Sequence, residues 1–408
     1  LVAVGAGSVE RGSAAARHDA ALDGGHYRLW AKTEDHRAFD APDGNAGNDA
    51  WHTTRAGMRS EWVLPSGDGL DVSAALARHV SDDRWNEADL LSPSGSTGVD
   101  HTQTGDAGHL LGRYHHLGGD GSETIVQAYL AQDNIRATGA FDQRRTTFDL
   151  DLQHHPRLDG AHDVVWGVTH RRSRDKIGFS GILNITPPRR TFALSSVFVN
   201  DEITLLPEHL HATLGARLEH NSFTGFELQP QARLAWTPSR TQTFWTSLSR
   251  AVRTPSRAEL DAQVDVLVIP GQGQVPPVLL RNLAPADHEL RAETVRAFEL
   301  GFRQQFEPNL SLDLAAFANR YAHLSSAGSA GLDFEMLPVP HLVQNVRPRS
   351  QLAVNTSGFE AALDWRPVRA WRLQAAYSHL HTRVASRTTD AIEAASGEAA
   401  LARLDQEL

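Results

Sequence analysis

Cysteine is absent from all 408 residues, and methionine occurs only 2 times. Without cysteine there is neither a disulfide framework nor a thiolate zinc site, so any metal would have to be held by histidine or carboxylate. No run approaches the roughly 20 consecutive apolar residues that a membrane-spanning helix requires. Mean hydropathy is −0.37 with 40% hydrophobic residues, which excludes helical spans. It does not exclude a membrane, because a barrel strand shows lipid only every second residue. Basic charge is also scarce: Lys+Arg 39 against Asp+Glu 49 gives −10 at pH 7, which argues against nucleic acid as the main partner. His-Glu-x-x-His, Gly-x-Ser-x-Gly and Gly-x-x-x-x-Gly-Lys-Ser/Thr are all missing. The sequence therefore reads as no enzyme and asks for no cofactor. Leu1 follows no Met, charged n-region or apolar h-region, as expected where a signal has been removed or the chain is a fragment.

What the sequence does have is alternation. Phe148, Leu150 and Leu152 oppose Asp149, Asp151 and Gln153, and Ala212, Leu214, Ala216 and Leu218 oppose Thr213, Gly215, Arg217 and Glu219. The same pattern returns at 298–303, 310–319 and 359–366. Period two predicts strands, and about seventeen such segments of roughly ten residues are expected, each the length a tilted strand needs to cross a bilayer. Helix periodicity is confined to 391–407. Short turns fall at 65–69, 118–122, 156–161, 205–208, 237–241, 307–309 and 366–370. Longer polar loops are expected at 38–51, 81–106, 134–145, 172–189, 254–290 and 323–352. That sorting suits an outer-membrane barrel with short periplasmic turns and long extracellular loops.

Aromatic residues gather at the short turns: Trp62 before the first, Trp236 and Trp245 around the fifth, Phe306 before the sixth, Trp365 and Trp371 around the seventh. Such rings at one level of a barrel form an interfacial girdle; in a soluble sheet they would plug the turns. Among the 21 histidines, His115-His116 and His154-His155 point to opposite faces of a strand and cannot easily chelate one ion. His209 and His211 share a face, where a water-exposed role competes with metal binding. No metal site is assigned. Asp40, Asp43, Asn45, Asn48 and Asp49 make an oxygen-rich loop that reads equally as a calcium ligand set or as turn chemistry. Gly271 and Gly273 read as a flexible loop.

Arg171, Arg172, Arg174 and Lys176 open an expected extracellular loop, and Arg253 and Arg257 sit at the mouth of another. Guanidinium groups there would attract an anionic ligand such as a ferric siderophore. A rim contacting lipopolysaccharide phosphates, or a solvated loop, is the alternative.

Several segments resemble TonB-dependent outer-membrane receptors: LSRAVRTPSRAEL (248–260), HELRAETVRAFELGFRQQFEPNLSLDLAAFANRYAHL (288–324) with Glu293, Glu299, Leu300 and Gly301 in matching places, YRLWAKTEDHRAF (27–39) and DAWHTTRAGMRSEWVLPSGDGLDV (49–72). The resemblance implies an all-β fold, an antiparallel transmembrane β-barrel of the family's 22-stranded type, incomplete at about 17 strands. Residues 1–408 would be a partial barrel, with the plug domain and the last strands absent. It further implies an integral protein of the bacterial outer membrane, bounded by lipid and lipopolysaccharide. That protein would take up a scarce nutrient with energy from the TonB complex, reached through the missing plug. A ferric siderophore is the family's commonest ligand, with haem, cobalamin and oligosaccharides as others. The rival expectation is a secreted soluble β-sandwich or repeat protein that binds or adheres.

Overall fold

The computed structural model describes residues 1–40, 44, 47–179, 183–284 and 290–384. Asp43 and Asn45 of the oxygen-rich loop, and the helix expected at 391–407, lie outside the described residues. Strands β1 (Val2–Gly5), β2 (Glu10–Leu22), β3 (Gly25–His36), β4 (Trp51–Val63), β5 (Gly69–Ala88), β6 (Ser96–Leu117), β7 (Glu123–Ala137), β8 (Phe141–His155) and β9 (His162–Phe179) come first. There follow β10 (Leu183–Ile185), β11 (Arg189–Leu206), β12 (Leu210–Asn221), β13 (Gly225–Ser239) and β14 (Gln242–Arg253). After helix α1 (Arg257–Asp261) come β15 (Ala262–Ile269), β16 (Val278–Asn282), β17 (Glu293–Glu307), β18 (Leu310–Glu335), β19 (His341–Val368) and β20 (Trp371–Val384).

All 20 strands join one sheet. Setting aside β10, β15 and β16, which belong to loops, leaves sixteen strands of 12 residues or more and the 4-residue β1, close to the about seventeen expected from the alternation. They pair antiparallel with their successors in chain order, β9 meeting β11 and β14 meeting β17 across the inserted loops. Among the described residues, β1 pairs only with β2 and β20 only with β19, so the sheet is not closed.

Neighbouring side chains along each strand point to opposite faces, and register carries each row across the sheet. Leu130 stands opposite Phe148, Val168 opposite Val197, Val197 opposite Leu218 and Leu218 opposite Leu228. Leu130, Phe148, Val168, Val197, Leu218 and Leu228 are all exposed. The opposite face carries charge, including the rows Arg28–Asp19, Arg171–Asp149, Arg303–Asp313 and Arg372–Asp364. A sandwich would bury the apolar face under a second sheet. There is one sheet, its apolar face is open, and the soluble-sandwich expectation is overturned. No helix is long and apolar enough to cross a membrane, which says nothing about strands.

The loop expectations need a second correction. Most of 81–106, 134–145, 172–189 and 323–352 is strand: β5 and β6 span 20 and 22 residues, β18 and β19 span 26 and 28. About ten residues suffice to cross a bilayer, so these hairpins project well past it. A strand needs only a neighbour's backbone, and a long hairpin supplies that whatever its side chains. The tight turns at the other end behave as read. The turn at 118–122, for example, reverses β6 into β7 with Gly121 at φ +85°, the left-handed conformation that glycine adopts without steric cost.

Candidate functional site

The only buried apolar clusters among the described residues lie at the long-loop end of the sheet, where the insertion between β14 and β17 folds onto its neighbours. β15 pairs antiparallel with β10 and β16, and β16 pairs parallel with Val343 and its neighbours on β19. Ile177, Ile185 and Ala262 form one small core, with Val268, Leu279 and Val343 forming another against Ala88 and Leu90 of the β5–β6 tip. The insertion thus bridges hairpins that are distant in the strand order.

Ion pairs fix both ends of this bridge. Ser256 caps α1, and Glu259 returns the bond to the Ser256 N–H at 2.6 Å, a capping box. Arg253, last residue of β14, donates twice to Glu293 at 2.7 Å and to Glu259 at 2.8 and 3.1 Å. Burial pushes the Glu259 carboxyl up, but Arg253 and the Ser256 hydrogen bonds outweigh it and hold the carboxyl below its usual range. One turn on, Arg257 has an 8% exposed side chain, lies 3.1 Å from Asp261, and pairs with Asp175 of β9. It also donates to the Pro187 carbonyl, while Arg190 of β11 pairs with Asp261. Burial weakens the hold of Arg257 on its proton, with the Asp261 carboxylate opposing that shift. At the far end Arg281 joins Asp265 at 2.6 Å and Glu335 at 2.8 Å.

The six cations singled out in the sequence are not brought together. Strand parity splits the Arg171–Lys176 run: Arg171 lies on the charged face, 2.8 Å from Asp149, whereas Arg172, Arg174 and Lys176 lie on the face of Val168. Arg253 faces the charged side between two carboxylates, and Arg257 is a buried tie. Of the six, Arg171 and Arg253 are both exposed and on the charged face, with side chains 53% and 51% accessible.

The aromatic set divides likewise. Trp62, Trp236 and Trp365 lie on the apolar face, and Phe306 and Trp371 are exposed beside the turns. Trp245 does not belong with them. Its odd position turns it to the charged face, where its ring covers Gly301, and a Cβ there would lie 2.3 Å from the indole. Phe244 takes its place, with ring centroids 5.3 Å from Trp236 and 4.7 Å from Phe302. Tyr114 and Trp166 also sit on the apolar face near short turns.

The histidines are spoken for individually. His115 lies 2.7 Å from Glu123, His116 binds Asp68 at 2.6 Å, and His154 contacts Thr124 at 2.8 Å. His155 pairs with Asp163, His209 meets the Thr237 carbonyl at 2.8 Å, and His211 lies 3.6 Å from Glu202. Asp49 accepts the Phe39 N–H at 2.9 Å and Asn48 donates to the Asp83 carbonyl at 2.7 Å. Among the described residues no three His, Asp or Glu side chains converge as a metal-ligand set. Gly271 and Gly273 flank Gln272, which forms a one-bridge turn with Val275.

No curated protein matches the chain. Solved structures do. The siderophore receptor PirA from Pseudomonas aeruginosa superposes with TM-score 0.66 at 14% identity, over 92% of this chain and 64% of its own. The FrpB iron transporter from Neisseria meningitidis gives 0.64 at 13% identity, over 93% and 61%. The copper transporter OprC gives 0.68 at 11% identity, over 95% and 61%. At these identities the likeness is one of fold, and the chain spans somewhat under two thirds of each relative. A family model described as "TonB dependent receptor-like, beta-barrel" matches residues 12–402. With an apolar face, a charged face and loops sorted to one end, the chain belongs to the TonB-dependent receptors, a family of outer-membrane transport receptors, through their β-barrel domain.

Proposed function

We propose that this chain forms barrel wall and extracellular loops of an outer-membrane receptor that imports a scarce, bulky nutrient, a ferric siderophore foremost, with energy from the TonB complex. The observation that carries this reading is the two-faced sheet: lipid meets the row of Leu130, Phe148, Val168, Val197, Leu218 and Leu228, and an aqueous lumen meets the charged face. Trp62, Trp236, Phe306, Trp365 and Trp371, joined by Phe244, sit at the periplasmic interface. Arg171 and Arg253 are the lumen-facing cations that an anionic ligand meets. Each is already held by carboxylate, so they orient and screen such a ligand and add little net attraction. The likeness to PirA, a siderophore receptor, and to FrpB, an iron transporter, favours iron as cargo.

The test is growth of a host expressing the complete receptor, with and without TonB: starved of iron and supplied with ferric siderophores or haem one at a time, or dependent on cobalamin and supplied with it at limiting concentration. TonB-dependent rescue by a siderophore supports the reading. Rescue by another nutrient alone corrects the ligand, and no rescue by any of them overturns the assignment.

A further inference from the structure

Three adjacent strands carry a surface that nutrient import does not use. On the apolar face of β9 the residues run Val168, His170, Arg172, Arg174, Lys176. Register sets Arg144 of β8 and Arg189 of β11 on either side of Lys176, Thr146 and Thr191 beside Arg174, and Phe148 and Ala193 beside Arg172. Arg144, Arg172, Arg174, Lys176 and Arg189 are all exposed. Strands lie about 4.8 Å apart and alternate residues about 7 Å apart, so these cations form one compact field that starts where the apolar band ends.

Many arginines elsewhere in the sheet are paired with carboxylates. Arg171 and Arg190, which neighbour this row in sequence but turn to the other face, are paired with Asp149 and Asp261. In the exposed row, by contrast, Arg144 has only the Asn134 amide oxygen at 3.2 Å, and the nearby Asp142 is taken by Arg136 at 3.2 Å. No carboxylate pairs with Arg172, Arg174, Lys176 or Arg189 among the described residues. Like charges set directly opposite, as Arg144, Lys176 and Arg189 are, repel and destabilise a sheet. An external anion removes that cost. On the same face, across β4 to β8, a groove of about 700 Å³ is floored by Leu76, Gly108, Leu110 and Leu130, with the Arg78–Asp106 pair and Thr146 also lining it. Thr146 is the lateral partner of Arg174.

We propose that this face docks a phosphorylated glycolipid of the outer leaflet, lipopolysaccharide, with its lipid A phosphates on Arg144, Arg172, Arg174, Lys176 and Arg189 and an acyl chain in the adjoining groove. Position selects the partner: an anion bound here stands outside the barrel at the edge of the lipid band, where a soluble nutrient has no route inward. Guanidinium groups meet phosphate oxygens in pairs, and basic residues beside a bilayer surface each add to headgroup attraction. The inference rests on the outer-membrane reading only in that the apolar face meets lipid; it is indifferent to the nutrient.

The experiment titrates bisphosphorylated lipid A against the complete receptor in detergent, read by native mass spectrometry. Replacing Arg172, Arg174 and Lys176 together by Ser is expected to weaken binding about a hundredfold. The charge-keeping set Arg172→Lys, Arg174→Lys and Lys176→Arg retains it. Dephosphorylated lipid A binds wild type about as weakly as bisphosphorylated lipid A binds the Ser variant, and inorganic phosphate does not compete. Should the triple variant not fold, Lys176→Ser and Arg189→Ser singly, each expected to weaken binding about fivefold, take its place. Wild-type affinity in the Ser variants, equal binding of dephosphorylated lipid A, or displacement by inorganic phosphate would each overturn the proposal. A receptor that binds no nutrient still reports on lipid A, so failure of either reading is told apart.

Discussion

Asp68 shows how much one turn residue can organise. Its side chain, 7% exposed, accepts from Ser66 and His116 at 2.6 Å and from the Tyr114 hydroxyl at 2.7 Å. The Ser66 and Tyr114 bonds first, then His116, outweigh burial and hold the carboxyl at about 2, against 3.8 for the free group. A depressed carboxyl pKa contributes stability that is complete above the unfolded value and is lost as pH falls through the folded one. The turn joining β4 to β5 therefore stays protected near pH 4 and loosens toward pH 2, whereas Asp68→Asn flattens that dependence. Amide exchange at residues 64–68 across this window checks it; a variant with an unchanged acid profile would remove Asp68 from the account. Arg257 makes the complementary case for a buried cation. Arg257→Ala leaves Asp175 and Asp261 buried without their shared partner, a loss of about 3–5 kcal/mol when one side of a buried pair is removed. Limited proteolysis at 254–269 should accelerate sharply, and wild-type resistance would show that the tie contributes little.

At the scale of elements, the insertion between β14 and β17 owes its shape to a few apolar residues inside polar sequence. Leu279 is 3% exposed and packs with Val343, which is fully buried, across the parallel β16–β19 pair. Leu279→Ala removes those contacts and leaves a cavity, costing about 2–5 kcal/mol of local stability. Faster exchange at 262–282 with unchanged exchange in β11 to β13 is the expected result, and a global loss would mean that the loop sheet and barrel unfold together. Legibility also divides at this scale. The barrel strands could be read because one face is apolar over a whole membrane thickness, so Phe148, Leu150 and Leu152 declare a period of two. Past that band the alternation of polarity stops while the strand continues, which is why the Arg171–Lys176 run reads as loop though it is β9. Parity alone would have separated Arg171 from Arg172 and Trp245 from Phe244 once those stretches were taken as strand. The pairing of β16 with β19 was out of reach, since Val278–Asn282 is short and its partner is a parallel strand about sixty residues away that no local pattern names.

For the whole molecule, the two faces answer to different solvents, and that is where the barrel assignment is most exposed to test. Leu218 lies on the apolar face with Val197 and Leu228 on either side. An arginine there must stand in hydrocarbon, costing about 2–4 kcal/mol near the bilayer midplane. Ser249 lies on the charged face of β14, opposite Gln231 and Ala297. An arginine at that position projects into water beside polar neighbours and costs little. Leu218→Arg should therefore fold into lipid vesicles with markedly lower yield and stability, followed by the heat-modifiable shift in gel mobility, while Ser249→Arg stays close to wild type. A soluble fold with the same strands reverses the expectation, because an open face in water welcomes charge and a packed one refuses it. Equal tolerance at the two sites would mean that the face bearing Leu130, Phe148, Val168, Val197 and Leu228 never meets lipid, and the outer-membrane reading, together with the lipid A docking face built on it, would have to be given up.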